Sequence, residues 1–162
     1  MNLAKVLVVE DDSNWHNLFK IIVANNTSDI FDYVYVTDLK SAVNHVKIDP
    51  SLSLILLDLM LPDSSPLNTI QVMTSEAKNA PIVIMTTLDD EKLIADAFVL
   101  GVEDYLVKDK YNIGTFIHVC RQAIRRFAGR IVNSLEENIK KIISNLEFLD
   151  KKLESWQKIN PS

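Results

Sequence analysis

Three carboxylates, Glu10, Asp11 and Asp12, directly follow the apolar run Val6–Val9, and a fourth, Asp58, follows the run Leu52–Leu57. Clustered carboxylates repel one another, and a divalent cation relieves the repulsion. All-oxygen ligation with waters retained suits Mg2+, with Mn2+ as the other hard candidate. A carboxylate held beside such a cation can act as a nucleophile on phosphorus and form an acyl phosphate. Two further runs end in complementary groups. Ile82–Met85 ends in the hydroxyls of Thr86 and Thr87, and Tyr105–Val107 ends in the amine of Lys108. A hydroxyl donor and a compact ammonium suit a phosphoryl oxygen or a bare carboxylate. Each signal alone is weak; four at the ends of strand-like runs point to phosphoryl chemistry.

The elements that must bring these groups together are short β-branched or aromatic runs separated by amphipathic stretches. Tyr33–Val36 is the fifth run of this kind. Ser13 is expected to cap a first helix that places Trp15, Leu18, Phe19, Ile22 and Val23 on one face. Leu39, Ala42, Val43 and Val46 share a face of a second, and Ser65-Pro66 opens a third with proline at the first helical position. A fourth runs from about Asp90 to Leu100 and stops at Gly101, a residue suited to a left-handed cap. With the helix after Lys110, strand and helix alternate five times, which implies an α/β fold with a doubly wound parallel sheet. In such a sheet, ligands bind beyond the carboxyl ends of the strands where the strand order reverses. For the order 2-1-3-4-5 that point lies between strands one and three, so Glu10, Asp11 and Asp58 are expected to converge.

From about Asn112 to Trp156 the pattern is helical throughout, with no proline. Apolar residues fall at Cys120, Ile124, Phe127, Ile131, Leu135, Ile139, Ile142, Leu146, Leu149, Leu153 and Trp156. Their spacing is a heptad seam with a stutter near Ile131–Ile139. Glu136 with Lys140, Glu137 with Lys141, and Glu147 with Lys151 stand at i,i+4 in the favourable orientation. One continuous helix would be roughly 65–70 Å long, more than a compact domain can cover. Residues 1–126 are therefore expected to form one domain and 127–162 a coiled-coil-like extension of its last helix. The apolar seam calls for a second copy of the chain or another helical partner.

The motifs resemble the receiver domain of bacterial response regulators over residues 4 to about 126. The resemblance rests on Val6–Val9 running into Glu10, Asp11 and Asp12; on Leu56 through Asp58 and Met60 to Pro62; on Met85, Thr86 and Thr87; and on Gly101 through Tyr105 to Lys108. It implies a flavodoxin-like fold and a phospho-accepting switch in a two-component phosphorelay. By resemblance, Asp58 is the phospho-acceptor, Asp11 a direct Mg2+ ligand, Glu10 the holder of metal-bound water, and Met60 the donor of a backbone carbonyl. Lys108 would pair with a phosphoryl oxygen, and Thr86 with Tyr105 would form the switch pair. A histidine kinase or phosphotransfer protein would supply the phosphoryl group. The chain departs from the family's habits at Asp109, where proline is usual after the lysine, at Thr87, where alanine or glycine is common, and at Pro66, where glycine is usual. With Met60 offering no polar group to guide water, slow self-dephosphorylation is expected.

Composition narrows the remaining classes. Of 162 residues, 48% are hydrophobic and 24% charged, a globular profile, and no apolar run is long enough to cross a bilayer. No signal segment follows Met1, and a lone cysteine, Cys120, permits no internal disulfide, so a cytoplasmic protein is expected. A formal charge of -5, with no helix-turn-helix unit after Lys110, argues against DNA binding by these residues. No enzymatic turnover is expected beyond self-phosphorylation and self-dephosphorylation. A haloacid-dehalogenase-like phosphatase would need a second acid where Met60 stands. The alternatives are an inert receiver-like scaffold that dimerises through its C-terminal helix, or a fragment of a larger signalling protein.

Overall fold

A computed structural model describes residues 3–162. Five strands and five helices alternate: β1 (Ala4–Val9), α1 (Ser13–Asn26), β2 (Phe31–Val36), α2 (Leu39–Ile48), β3 (Leu54–Leu57), α3 (Pro66–Glu76), β4 (Ile82–Thr86), α4 (Glu91–Val99), β5 (Asp104–Val107) and α5 (Ile113–Ile159). All strand pairs are parallel and the order is β2-β1-β3-β4-β5, the expected doubly wound sheet.

The alternation of side chains along each strand divides the core into two layers. Leu7, Val9, Ile55, Leu57, Ile82 and Ile84 point to the layer that α2, α3 and α4 cover with Ala42, Ile70, Met73 and Ala97. Val6, Val8, Leu54, Leu56, Val83 and Met85 point to the layer covered by Phe19 and Val23 of α1 and by Phe116, Cys120 and Ala123 of α5. All four residues of β3 are fully buried. At roughly 1.5–3 kcal/mol for each large apolar side chain, this central strand contributes strongly to the stability of the sheet.

Helix ends follow the local chemistry. Gly101 has φ 102° and terminates α4; its N–H donates to the Phe98 carbonyl and that of Val102 to the Ala97 carbonyl, a Schellman arrangement. Ser65 precedes Pro66 at the start of α3 as expected, although its side chain makes no capping bond. The α1 cap differs from expectation. Asp12, not Ser13, occupies it, its Oδ1 accepting from the N–H groups of Asn14 and Trp15 at 2.9 and 3.2 Å. The buried face of α1 is also shifted: His16, Phe19 and Val23 are inside, while Leu18 and Ile22 are exposed. His16 takes an inward position because its ring packs edge-on against Tyr35 of β2, with centroids 4.4 Å apart. β3 begins at Leu54, later than the apolar run that starts at Leu52.

The chain divides into two compact units, one ending at Phe127 and one beginning at Ala128. α5 continues without a break across 47 residues, about 70 Å at the usual rise, and its two glycines do not interrupt it. No helix among the described residues is long and apolar enough to cross a membrane.

Candidate functional site

Glu10, Asp58 and Lys108 each stand one residue past a strand, yet each still donates its backbone N–H to the neighbouring strand. Glu10 donates to Val36 at 3.0 Å, Asp58 to Val9 at 2.9 Å and Lys108 to Thr86 at 2.7 Å. The three side chains therefore leave the sheet in one row, at the carboxyl edge, with backbones fixed by the ladder. Strand order puts β1 between β2 and β3, so the row crosses the point where the winding reverses.

There the carboxylates meet. Glu10, Asp11 and Asp58 each offer an oxygen, and these lie within 4.8 Å of one another. Glu10 and Asp58 are buried and Asp11 is exposed, so the cluster opens to solvent on one side. Lys108 Nζ forms a buried ion pair with Glu10 Oε2 and stands 3.3 Å from Asp58 Oδ2. The two oxygens of Asp58 are inequivalent. Oδ1 accepts from the N–H groups of Leu59 at 2.7 Å and Met60 at 3.2 Å, while Oδ2 faces the lysine. Asp12, adjacent in sequence, belongs to the helix cap; its N–H donates to Glu10 Oε1 at 3.1 Å.

Electrostatics within the crevice follow from burial. The Glu10 carboxyl is pushed up to about 7, first by loss of water and then by the charge of Asp58, with Lys108 pulling the other way. One ammonium thus leaves the negative charge incompletely compensated. The donors are all carboxylate oxygens, a hard set that fits Mg2+ or Mn2+ rather than a metal that prefers nitrogen or sulfur.

The remaining residues singled out from the sequence lie nearby. Thr86 closes β4, and its Oγ1 is buried with no hydrogen-bond partner among the described residues. Such orphaned hydroxyls are uncommon in native interiors. Tyr105 is half-buried on β5, and its hydroxyl donates to the Leu88 carbonyl at 2.9 Å. Met60 is half-exposed on the loop after β3. That loop is tied down by Asp63, whose carboxylate accepts from the first-turn N–H groups of Leu39 and Lys40 at 2.9 and 3.0 Å. The bond after Lys108 is trans, and Asp109 adopts φ 68°, a left-handed conformation that aspartate tolerates better than most residues.

One neighbour was not expected from sequence. The Trp15 ring lies under the Lys108 amine, 4.4 Å from Nζ to centroid, and stacks on Phe19 at 4.7 Å. Its place in the first turn of α1, three residues after the Asp12 cap, was the available signal. Arg126 of α5 is engaged within its own unit, with contacts of 3.4 Å to Glu103 and Asp104.

Comparison with known proteins agrees with this geometry. The profile of the response regulator receiver domain family matches residues 6–115. The transcriptional regulatory protein YdfI of Bacillus subtilis (strain 168) is 28% identical over 146 residues, covering 89% of this chain and 63% of that protein. Among solved structures, the receiver domain of Francisella response regulator 1452 superimposes with a TM-score of 0.64 at 24% identity, covering 76% of this chain and 98% of that one. The Mn(2+)-bound form of response regulator Rcp1 superimposes with a TM-score of 0.59 at 24% identity, over 72% of this chain and 89% of its own. At that identity the two structures speak for the fold alone. The chain spans between 44% and 63% of the length of the curated relatives it first matches.

Proposed function

This chain belongs to the response regulator receiver domain family, and from that membership we propose a phospho-accepting switch of a two-component phosphorelay with Asp58 as acceptor. The observation that carries the proposal is the convergence of Glu10, Asp11 and Asp58 within 4.8 Å beside Lys108. Receiver domains interact with histidine kinases or phosphotransfer proteins, and one of these is the proposed phosphoryl donor.

In the proposed reaction an Asp58 oxygen attacks the phosphorus of a phosphohistidine. The new O–P bond forms as the P–N bond breaks, and the departing imidazole takes a proton from solvent. Glu10, Asp11 and Asp58, with the Met60 carbonyl, would hold Mg2+, or Mn2+ as in the named form of Rcp1. The ion's contribution when bound is charge neutralisation on the phosphoryl oxygens. The protein's own groups do the rest. The N–H groups of Leu59 and Met60 fix the carboxylate on Oδ1, and Lys108 accompanies a phosphoryl oxygen. The unpartnered Thr86 hydroxyl supplies a hydrogen bond, and Tyr105 responds by leaving the Leu88 carbonyl. The output is protein–protein contact, with α5 offering a helical partner its apolar seam.

Incubation with Mg2+ and acetyl phosphate tests the proposal, read by intact mass. The parent is expected to gain one phosphoryl group and Asp58→Asn none. A parent that gains nothing would leave the inert-scaffold alternative in its place, and a variant that gains as much would remove Asp58 as the acceptor.

A further inference from the structure

We propose that two copies of this chain pair through residues 128–159 as a parallel, in-register, two-stranded coiled coil. This names the partner of the seam described above and rests on that reading of α5, not on phosphate acceptance by Asp58.

The first observation is the register. Taking Val132 rather than Ile131 into the seam removes the stutter. Positions a are then Val132, Ile139, Leu146 and Leu153, and positions d are Ala128, Leu135, Ile142, Leu149 and Trp156. The repeat holds from Ala128 to Trp156 through four heptads, the length at which a sustained a/d pattern signals a coiled coil. Every large side chain in it is 51–61% exposed, although all lie within one unbroken helix. Carried one heptad back, the same register would put Arg125 at a and Arg121 at d. Self-pairing there would set like charges against each other, so the seam begins where the second compact unit begins, at Ala128.

The second observation is where the charges lie. In this register most charged side chains of the helix sit at b, c and f, away from the seam, where Glu137–Lys141, Glu147–Lys151 and Glu154–Lys158 are spaced for pairing within one helix. The only charged residues at the flanking e and g positions are Glu136, Asp150 and Lys152. So nearly neutral a flank calls for no oppositely charged foreign helix, because e and g charges are what set partner choice. It suits a helix of the same sequence.

The third observation sets the direction. In a parallel pair, each g residue meets the e residue five positions on in its partner. The meetings are Ile131 with Glu136, Asn138 with Ile143, Asn145 with Asp150 and Lys152 with Gln157, and none joins like charges. In the antiparallel register of greatest overlap, which sets Ile139 against Leu149, Glu136 meets Asp150 twice. Like charges across that boundary disfavour it.

Sedimentation equilibrium of the full chain with an oxidative crosslinking series tests this. The parent is expected at twice the chain mass. Leu149→Cys is expected to crosslink to itself on mild oxidation, and the parent to stay uncrosslinked because Cys120 is buried. A mixture of Ile139→Cys and Leu149→Cys that crosslinks only between the two variants would mean an antiparallel pair and overturn the proposal, as would the mass of one chain or of three. Ile142→Asp with Leu149→Asp is expected to restore single-chain mass and still take up phosphate at Asp58. A parent of doubled mass that takes up no phosphate would sink the phosphorelay reading and leave the coil; a parent of single-chain mass that takes up phosphate would do the reverse.

Discussion

Lys108 is engaged more closely by Glu10 than by Asp58. The amine forms its buried ion pair with Glu10 Oε2, while its distance to Asp58 Oδ2 is 3.3 Å. The acid at the end of β1 thus holds the lysine at the end of β5 across two intervening strands. On the proposed function, a metal ion drawn to the three carboxylates would compete with the ammonium for Glu10, and a phosphoryl group on Asp58 would draw the amine toward β3.

Lys108→Ala therefore removes the main countercharge of a buried carboxylate pair. Breaking one partner out of such a pair costs about 3–5 kcal/mol when the other stays charged. Here Glu10 can take up a proton instead, which holds the cost below that range and makes it smaller as the pH falls through about 7. Urea unfolding of parent and variant, with and without Mg2+, checks this. Mg2+ is expected to recover more stability in the variant than in the parent. An equal loss in both conditions would show that the ion and the amine do not share the site.

The raised value of Glu10 sets a pH dependence of definite sign. Its carboxyl is lifted from 4.5 to about 7, with burial as the leading cause. Between those values the folded protein holds a proton that the unfolded chain has released. The stability this group contributes is whole below pH 4.5, declines through that window and is gone above about 7. The decline is on the order of 1–3 kcal/mol in the metal-free protein. Metal binding runs the other way, since a ligand carboxylate must be ionised. Mg2+ affinity, followed by calorimetry at several pH values, is expected to rise by up to about tenfold per unit below pH 7 and level off above it. Glu10→Gln is expected to flatten the profile and to weaken binding throughout.

The row of site residues was legible in the sequence because parallel strands of this order all end at one edge, so an acid, an acid and a lysine after three apolar runs must meet. Gly101 was legible for a local reason, the left-handed conformation that ends α4. What the sequence withheld depended on contacts between distant elements. Periodicity placed Leu18 and Ile22 inside, but β2 presents Tyr33 and Tyr35 to α1, and Phe19 and His16 pack edge-on against those rings. Strand order likewise could not say which of three carboxylates Lys108 would prefer, nor that Trp15 would lie against its amine. Those are matters of ångströms between side chains that share no sequence period.

Two glycines with opposite roles give a test of the backbone argument. Gly101 has φ 102° and nothing within 4 Å of where a Cβ would stand, so Gly101→Ala meets no clash and pays only for its conformation. A loss of about 1–2 kcal/mol is expected from the left-handed backbone. Gly129 sits inside α5, also with nothing within 4 Å of the added Cβ, and there alanine is expected to gain up to about 1 kcal/mol. Thermal unfolding should move in opposite directions for the two. A shared sign would mean that side-chain contacts, not backbone freedom, decide one of these positions.

Thr86 allows the sharpest test of whether a site residue serves the fold or the chemistry. Its Oγ1 is buried and unpartnered among the described residues, and an unsatisfied buried hydroxyl costs about 1–3 kcal/mol. Valine has nearly the same shape, keeps the β-branch that suits the end of β4, and lacks the orphaned group. Thr86→Val is therefore expected to leave the unphosphorylated protein as stable as the parent or up to about 1 kcal/mol more stable. After acetyl phosphate treatment the order should reverse. A hydroxyl that donates to a phosphoryl oxygen gains a charge-assisted bond of about 1.5–3 kcal/mol, which valine cannot make. Urea unfolding of both proteins before and after phosphorylation reads the difference directly. If the variant is weaker before treatment and gains as much as the parent after it, the hydroxyl belongs to the resting structure, and its part in phosphate recognition falls.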